Sequence, residues 1–129
     1  MGYAKHYSKE DILQGNCVRW FVMQFPDLSI MHAPNEGKRT PFEQARLNFV
    51  GQKKGKGFPD LIIFDTTLDG SKGLAIELKV VYRSGKKNKP TKEQLDWLQR
   101  LENSGFKAFV VYTIKEFISI VRENYLKKS

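Results

Sequence analysis

The chain has 129 residues, 40% of them hydrophobic, which is enough for one domain with one core. Charged residues make up 28%, and no run approaches the roughly 18 consecutive apolar residues of a membrane-spanning helix, so a membrane protein is not expected. The net charge of +8 favours a polyanionic partner, nucleic acid ahead of an anionic membrane surface.

The opening MGYAKHYSKE lacks the apolar segment of a secretion signal, and charged and aromatic residues follow Gly2 too closely for a good myristoylation match. A single cysteine, Cys17, allows no internal disulfide, and no Cys/His cluster suggests zinc. A reducing cytoplasm is the expected compartment. No internal repeat or linker divides residues 1–129, which read as one domain.

In chain order, Ser8 and Asp11 fit an S-x-x-D cap, and Ile12, Leu13, Cys17, Trp20 and Phe21 then recur at helical spacing until Pro26. Cys17 on that stripe reads as a small core residue. Leu28 to Ala33 alternates as a short strand. PNEGKR is a polar turn, and Thr40 with Pro41 opens a second, short helix. GQKKGKG, Gly51 to Gly57, is a basic loop. Two strands follow, about 58–66 and 73–82, joined by a turn containing Asp69-Gly70, so an antiparallel hairpin is expected. RSGKKNKP is a second basic loop. Thr91 and Gln94 match a T-x-x-Q capping box on a helix with Leu95, Leu98 and Leu101 as its stripe, ended by Gly105. FKAFVVYT is another strand, and Ile114 to Tyr125 a final amphipathic helix. The order α-β-α-β-β-α-β-α predicts a mixed sheet flanked by helices, with the strands on either side of the Thr91 helix parallel or joined by a crossover.

The hairpin carries the chemistry. In GLAIELKVV, side-chain alternation puts Ala75, Glu77, Lys79 and Val81 on one face, with Glu77 and Lys79 roughly 7 Å apart. With a turn near Asp69, Asp60 at the start of the first strand falls beside Glu77 or Lys79. Two carboxylates converging at a sheet end push one of them towards protonation, and a divalent cation removes that cost. Mg²⁺ typically takes one or two protein carboxylates and keeps positions for phosphate oxygens. A lysine beside it can orient or activate water, or offset charge developing on a phosphate. The opposing reading is a solvated strand face with a cross-strand ion pair. The apolar neighbours on both sides argue against it.

Several other residues divide between functional and ordinary readings. Gln94 fits catalysis or simply the capping box. Glu10 fits support of a metal site from the first helix, with Asp11 as the alternative, or plain stabilisation by the helix dipole. His32 reads first as structural or substrate-facing and only second as a general base. Lys53, Lys54 and Lys56 in one loop, Lys86, Lys87 and Lys89 in the other, and Lys38 and Arg39 after the first strand suit phosphate-backbone contacts or generic solvated loops. No aromatic platform for single strands stands out.

Written as P-D, sixteen residues, E-L-K, the motif Pro59-Asp60…Glu77-Leu78-Lys79 resembles the PD-(D/E)XK nuclease superfamily. With the flanks HAPNEGKR, KKGKGFPDLIIF, GLAIELKV and TKEQLDWLQRLENSGFKAFVVYT, the chain is similar to the VRR-NUC branch over about residues 8–116, in its small stand-alone, phage-type form. The resemblance implies an α/β fold with a restriction-endonuclease-like mixed central sheet flanked by helices. It implies a DNA endonuclease dependent on Mg²⁺ or Mn²⁺, acting on branched or junction DNA as a homodimer, in the cytoplasm of a bacterial or phage-infected cell. Asp60, Glu77 and the Leu78 carbonyl would be metal ligands, Lys79 the catalytic lysine, Gln94 the glutamine that follows this motif, and Glu10 the supporting acid. Phe58 stands where the branch more often has a smaller or branched aliphatic residue. The competing readings are a non-catalytic nucleic-acid-binding module of the same fold and a hydrolase of another phosphate ester.

Overall fold

Strand β3 (Leu74–Leu78) is buried at all five positions and is the axis of the structure, a computed structural model that describes residues 9–32 and 57–127. The helix expected after Thr40 and the basic residues Lys38, Arg39, Lys53, Lys54 and Lys56 lie outside the described residues. Among the described residues four strands form one sheet in the order β1 (Ile30–His32), β2 (Leu61–Ile63), β3, β4 (Lys107–Val111). The β1–β2 and β2–β3 pairs are antiparallel and β3–β4 is parallel. The expected α/β mixed sheet and hairpin are both present. Among the described residues no helix is long and apolar enough to cross a membrane.

Helices α1 (Lys9–Gln24) and α3 (Ile114–Tyr125) cover one face of the sheet, and α2 (Lys92–Asn103) covers the other. Alternation along the strands sorts the side chains between them. Leu61, Ile63, Leu74, Ile76 and Leu78 pack with Cys17, Phe21, Phe117 and Val121. Ile62 and Ala75 pack with Leu98. Cys17 is fully buried, and burial pushes its thiol up to about 12, so it is core rather than reactive. Two stripe residues depart from expectation: Ile12 is 53% exposed and Leu95 51% exposed. Each lies on the flank of its helix, where an apolar stripe wider than the contact has nothing to meet.

The strands are shorter than the apolar runs suggest. Pro59 lacks an N–H for the ladder, so β2 cannot extend backwards past Leu61. After Leu78 the chain leaves the sheet for a small hairpin closed by a Val81–Lys87 bridge. The β2–β3 turn is built on Gly70 at φ 90°, with Gly70 N–H donated to the Thr67 carbonyl at 3.0 Å. Asp69 in that turn is held below the usual carboxylate range by the Thr67 hydroxyl and by Lys107 at 3.0 Å.

Gly73 permits the closest backbone approach in the hairpin. A Cβ there would meet the Ile63 carbonyl oxygen at 2.0 Å, which neither strand can yield without breaking register. Gly73→Ala is expected to destabilise the fold by about 3 kcal/mol, read as a lower urea midpoint with an unchanged slope.

Candidate active site

The β2–β3 ladder ends at Leu61 opposite Ile76. Continued one step, it sets Asp60 opposite Glu77, and a further step sets Pro59 opposite Leu78. Proline has no N–H to give the Leu78 carbonyl. The Leu78 N–H is taken instead by the Asp60 side chain, donating to Oδ2 at 2.7 Å. The dipeptide Pro-Asp thus ends one strand and ties its carboxylate to the other. The Leu78 carbonyl, on the same edge of β3 as that N–H, is left without a ladder donor from Pro59.

Glu77 and Lys79 project on the α2 face and are 3% and 6% exposed. Buried charges of this kind need partners. Gln94 in the first turn of α2 supplies one, donating from Nε2 to Glu77 Oε2 at 3.1 Å. The other end of the same amide closes the capping box, accepting the Thr91 N–H on Oε1 at 2.8 Å. The two readings of Gln94 are therefore not alternatives: its carbonyl caps the helix and its NH₂ holds Glu77.

Glu77 Oε1 is buried, and no hydrogen-bond donor reaches it. Burial first, and the Asp60 carboxylate second, push Glu77 up to about 9. Burial also raises Asp60, against the opposing pull of the Leu78 N–H and Lys79. Glu10 reaches the same cluster from α1. Its carboxylate is raised by burial and by Asp60, is lowered by Lys79, and accepts from Asn88 Nδ2 at 3.4 Å. Asp11 adds like charge to both Asp60 and Glu10.

A divalent cation fits this donor set. Asp60 and Glu77 are neighbouring carboxyls in side-chain contact, half-buried and buried respectively, which repel when both are ionised, and no donor among the described residues reaches Glu77 Oε1. Among the described residues no three His, Cys, Asp or Glu side chains form a ready cage. Two carboxylates with water and phosphate completing the shell suit Mg²⁺ or Mn²⁺ better than a structural metal.

The structure therefore gathers Asp60, Glu77, Lys79, Gln94 and Glu10 at one end of β3. His32 stands exposed at the end of β1 opposite Leu61. Lys86, Lys87 and Lys89 lie exposed on the segment around Asn88. Asn88 was not singled out by sequence: an asparagine within a lysine-rich loop carries no spacing signal. It is fixed by its N–H on the Val80 carbonyl at 3.0 Å and by the Tyr112 hydroxyl donating to its own carbonyl at 3.1 Å. Through Asn88 the basic hairpin is tied to Glu10.

Glu77, Asp60 and Glu10 all bind protons more tightly folded than unfolded. Such groups add stability that is complete below the unfolded carboxylate range and is lost as pH rises through the folded value. In EDTA the melting temperature is expected to fall from pH 5 to pH 9, following Glu77, whose folded value is about 9. Glu77→Gln should flatten that profile and raise the melting temperature at its alkaline end. Differential scanning calorimetry across pH reads both effects.

A model of the VRR-NUC domain family matches residues 8–114. A solved structure described as a VRR_NUC domain protein aligns with a TM-score of 0.67 and 26% identity, covering 94% of this chain and 90% of the other. No curated protein matches the chain. The family match takes in the whole of the β2–β3 hairpin, the start of α1 and all of α2, the elements on which the acids, the lysine and the glutamine stand. The chain belongs to the VRR-NUC family, a branch of the PD-(D/E)XK nucleases.

Proposed function

We propose that this chain is an Mg²⁺- or Mn²⁺-dependent DNA endonuclease that hydrolyses phosphodiester bonds at the end of β3. The observation that carries the reading is half-buried Asp60 beside buried Glu77 and Lys79, with one Glu77 oxygen that no donor among the described residues reaches. A structural ion pair at a strand end would instead satisfy both carboxylate oxygens and stay solvated.

Asp60, Glu77 and the Leu78 carbonyl would hold the cation. When bound, it supplies Lewis-acid polarisation of the phosphate and a more acidic water. Lys79 stands two residues from Glu77 on the same face, where its ammonium can orient the attacking water or offset charge growing on the phosphate oxygens. Gln94 keeps Glu77 in one rotamer. Glu10 faces Lys79 and secures Asn88. Lys86, Lys87 and Lys89 supply sequence-independent attraction to the phosphate backbone, as do Lys38, Arg39, Lys53, Lys54 and Lys56 by their charge.

Selectivity for branched DNA and a homodimeric state are part of the same proposal. Symmetric cutting of a junction needs two sites, and one chain carries one. The non-catalytic binding module is the second reading, favoured by the basic hairpin alone.

Wild type and Lys79→Ala, incubated with four-way junction, flap, single-stranded and duplex DNA in Mg²⁺, Mn²⁺ or EDTA, test the proposal. Cleavage should require metal and fall at least ~100-fold in Lys79→Ala. Paired junction cuts should accompany a sedimenting dimer; a lone 14.9 kDa species at micromolar concentration would count against the dimer. Salt-sensitive binding without cleavage of any substrate would transfer the assignment to the binding module. Gln94→Glu separates the two ends of that side chain. Glutamate at this position still completes a capping box but removes the donor to Glu77 and adds an acid beside it, so cleavage should drop ~10-fold or more and the melting temperature should fall more at pH 9 than at pH 5.

A further inference from the structure

Beside the proposed catalytic end of β3 lies a second feature that the hydrolysis chemistry does not use. An open groove of about 530 Å³ runs along β4 and the start of α3, lined by Lys87, Val110, Tyr112, Lys115, Glu116, Ser119 and Ile120. Its volume is within the roughly 300–1,000 Å³ of small-ligand sites. It lies one strand from Lys79, because the Lys79 N–H donates to the Val111 carbonyl at 2.9 Å and Tyr112 follows Val111. We propose that this groove binds a nucleotide of the DNA strand that flanks the scissile phosphate, with Lys87 and Lys115 on phosphate and Tyr112 and Ile120 against sugar or base. The proposal rests on the nuclease reading for its substrate and not for its chemistry.

Three observations support it. The first is charge placement. Lys115 is exposed in the first turn of α3, where a cation opposes the helix dipole and an acid would be preferred. The acid in that turn, Glu116, is spent on the chain itself, accepting the Tyr112 N–H at 2.7 Å. The second is rigidity. Tyr112 is held by that bond and by its hydroxyl on the Asn88 carbonyl at 3.1 Å, with Lys87 Nζ 4.9 Å from its ring centre. A fixed ring beside an ammonium is suited to sugar or base contact with little ordering cost. The third is composition: two ammoniums, the Ser119 hydroxyl and the Glu116 carboxylate, already bonded to the Tyr112 N–H, surround an apolar floor of Val110 and Ile120. That mixture matches a nucleotide better than a bare anion or an apolar peptide.

Two substitutions at exposed positions test the groove, Lys115→Glu by charge and Ser119→Trp by filling it. Lys127→Glu, just past the far end of α3, is the control with the same charge change. Fluorescence anisotropy with labelled single-stranded and duplex DNA, in EDTA and in Ca²⁺ over a series of salt concentrations, measures binding apart from cleavage. Lys115→Glu should weaken binding ~10-fold and lower the salt slope by about one, and Ser119→Trp should weaken it without changing the slope. Lys127→Glu should stay within about twofold of wild type. Binding by Lys115→Glu and Ser119→Trp equal to that of Lys127→Glu overturns the groove, as does an absence of DNA binding by wild type. Wild type that binds through the groove and cuts nothing removes the nuclease reading and leaves the groove standing. Wild type that cuts, with groove variants matching the control, removes the groove alone.

Discussion

The hydrogen bond from the Leu78 N–H to the Asp60 carboxylate, at 2.7 Å, is where the sheet stops being a scaffold and becomes a site. It exists because Pro59 ends the β2 ladder one residue early. A side-chain oxygen then substitutes for a backbone one, and the carboxylate is carried to the middle of the sheet beside Glu77. The other placements depend on it. The register of the hairpin sets Asp60 opposite Glu77, and the close approach at Gly73 holds that register at the other end. A slip of one residue would send Glu77 and Lys79 to the α1–α3 face, among Leu61 and Val111, and turn Leu78 away from it.

Holding three acids near one another in a buried setting is costly, and the structure distributes that cost. Lys79 opposes it by charge. Gln94 and Asn88 give single hydrogen bonds to Glu77 and Glu10, and Leu78 gives one to Asp60. None of these removes the raised proton affinity of Glu77. The remainder of the fold is locally consistent: capped helices, alternating strands and a glycine turn all agree with the sheet they build. The conflict is confined to the end of β3, where local rules and function diverge.

Helix α2 links sequence grammar to that conflict. Its capping box is legible as Thr91-x-x-Gln94, and so is its termination at Gly105. That the same glutamine has a free NH₂ end aimed at Glu77 follows only from the packing of Leu98 on Ala75 and Ile62, which brings the first turn of α2 over β3. The basic hairpin shows the same division. Its lysines are plain in the sequence. Its attachment to the site runs through Asn88 and Tyr112, which lie 24 positions apart and meet because β4 pairs with β3 in parallel.

By itself the sequence determined the α/β class, the β2–β3 hairpin, the helices α1, α2 and α3, and the identities of Asp60, Glu77 and Lys79. Each of those follows from local rules: alternation along a strand, helical periodicity, capping and turn residues, and a motif whose members lie within one hairpin. Tertiary structure alone decided that Glu10, 50 positions before Asp60, joins them, and that Asn88 does. It also decided the shortness of the strands, the exposure of Ile12 and Leu95, and the groove beside Tyr112. The physical reason is common to all of these. Burial, and the electrostatics that burial amplifies, depend on which elements pack against which, and no local pattern in the chain encodes that.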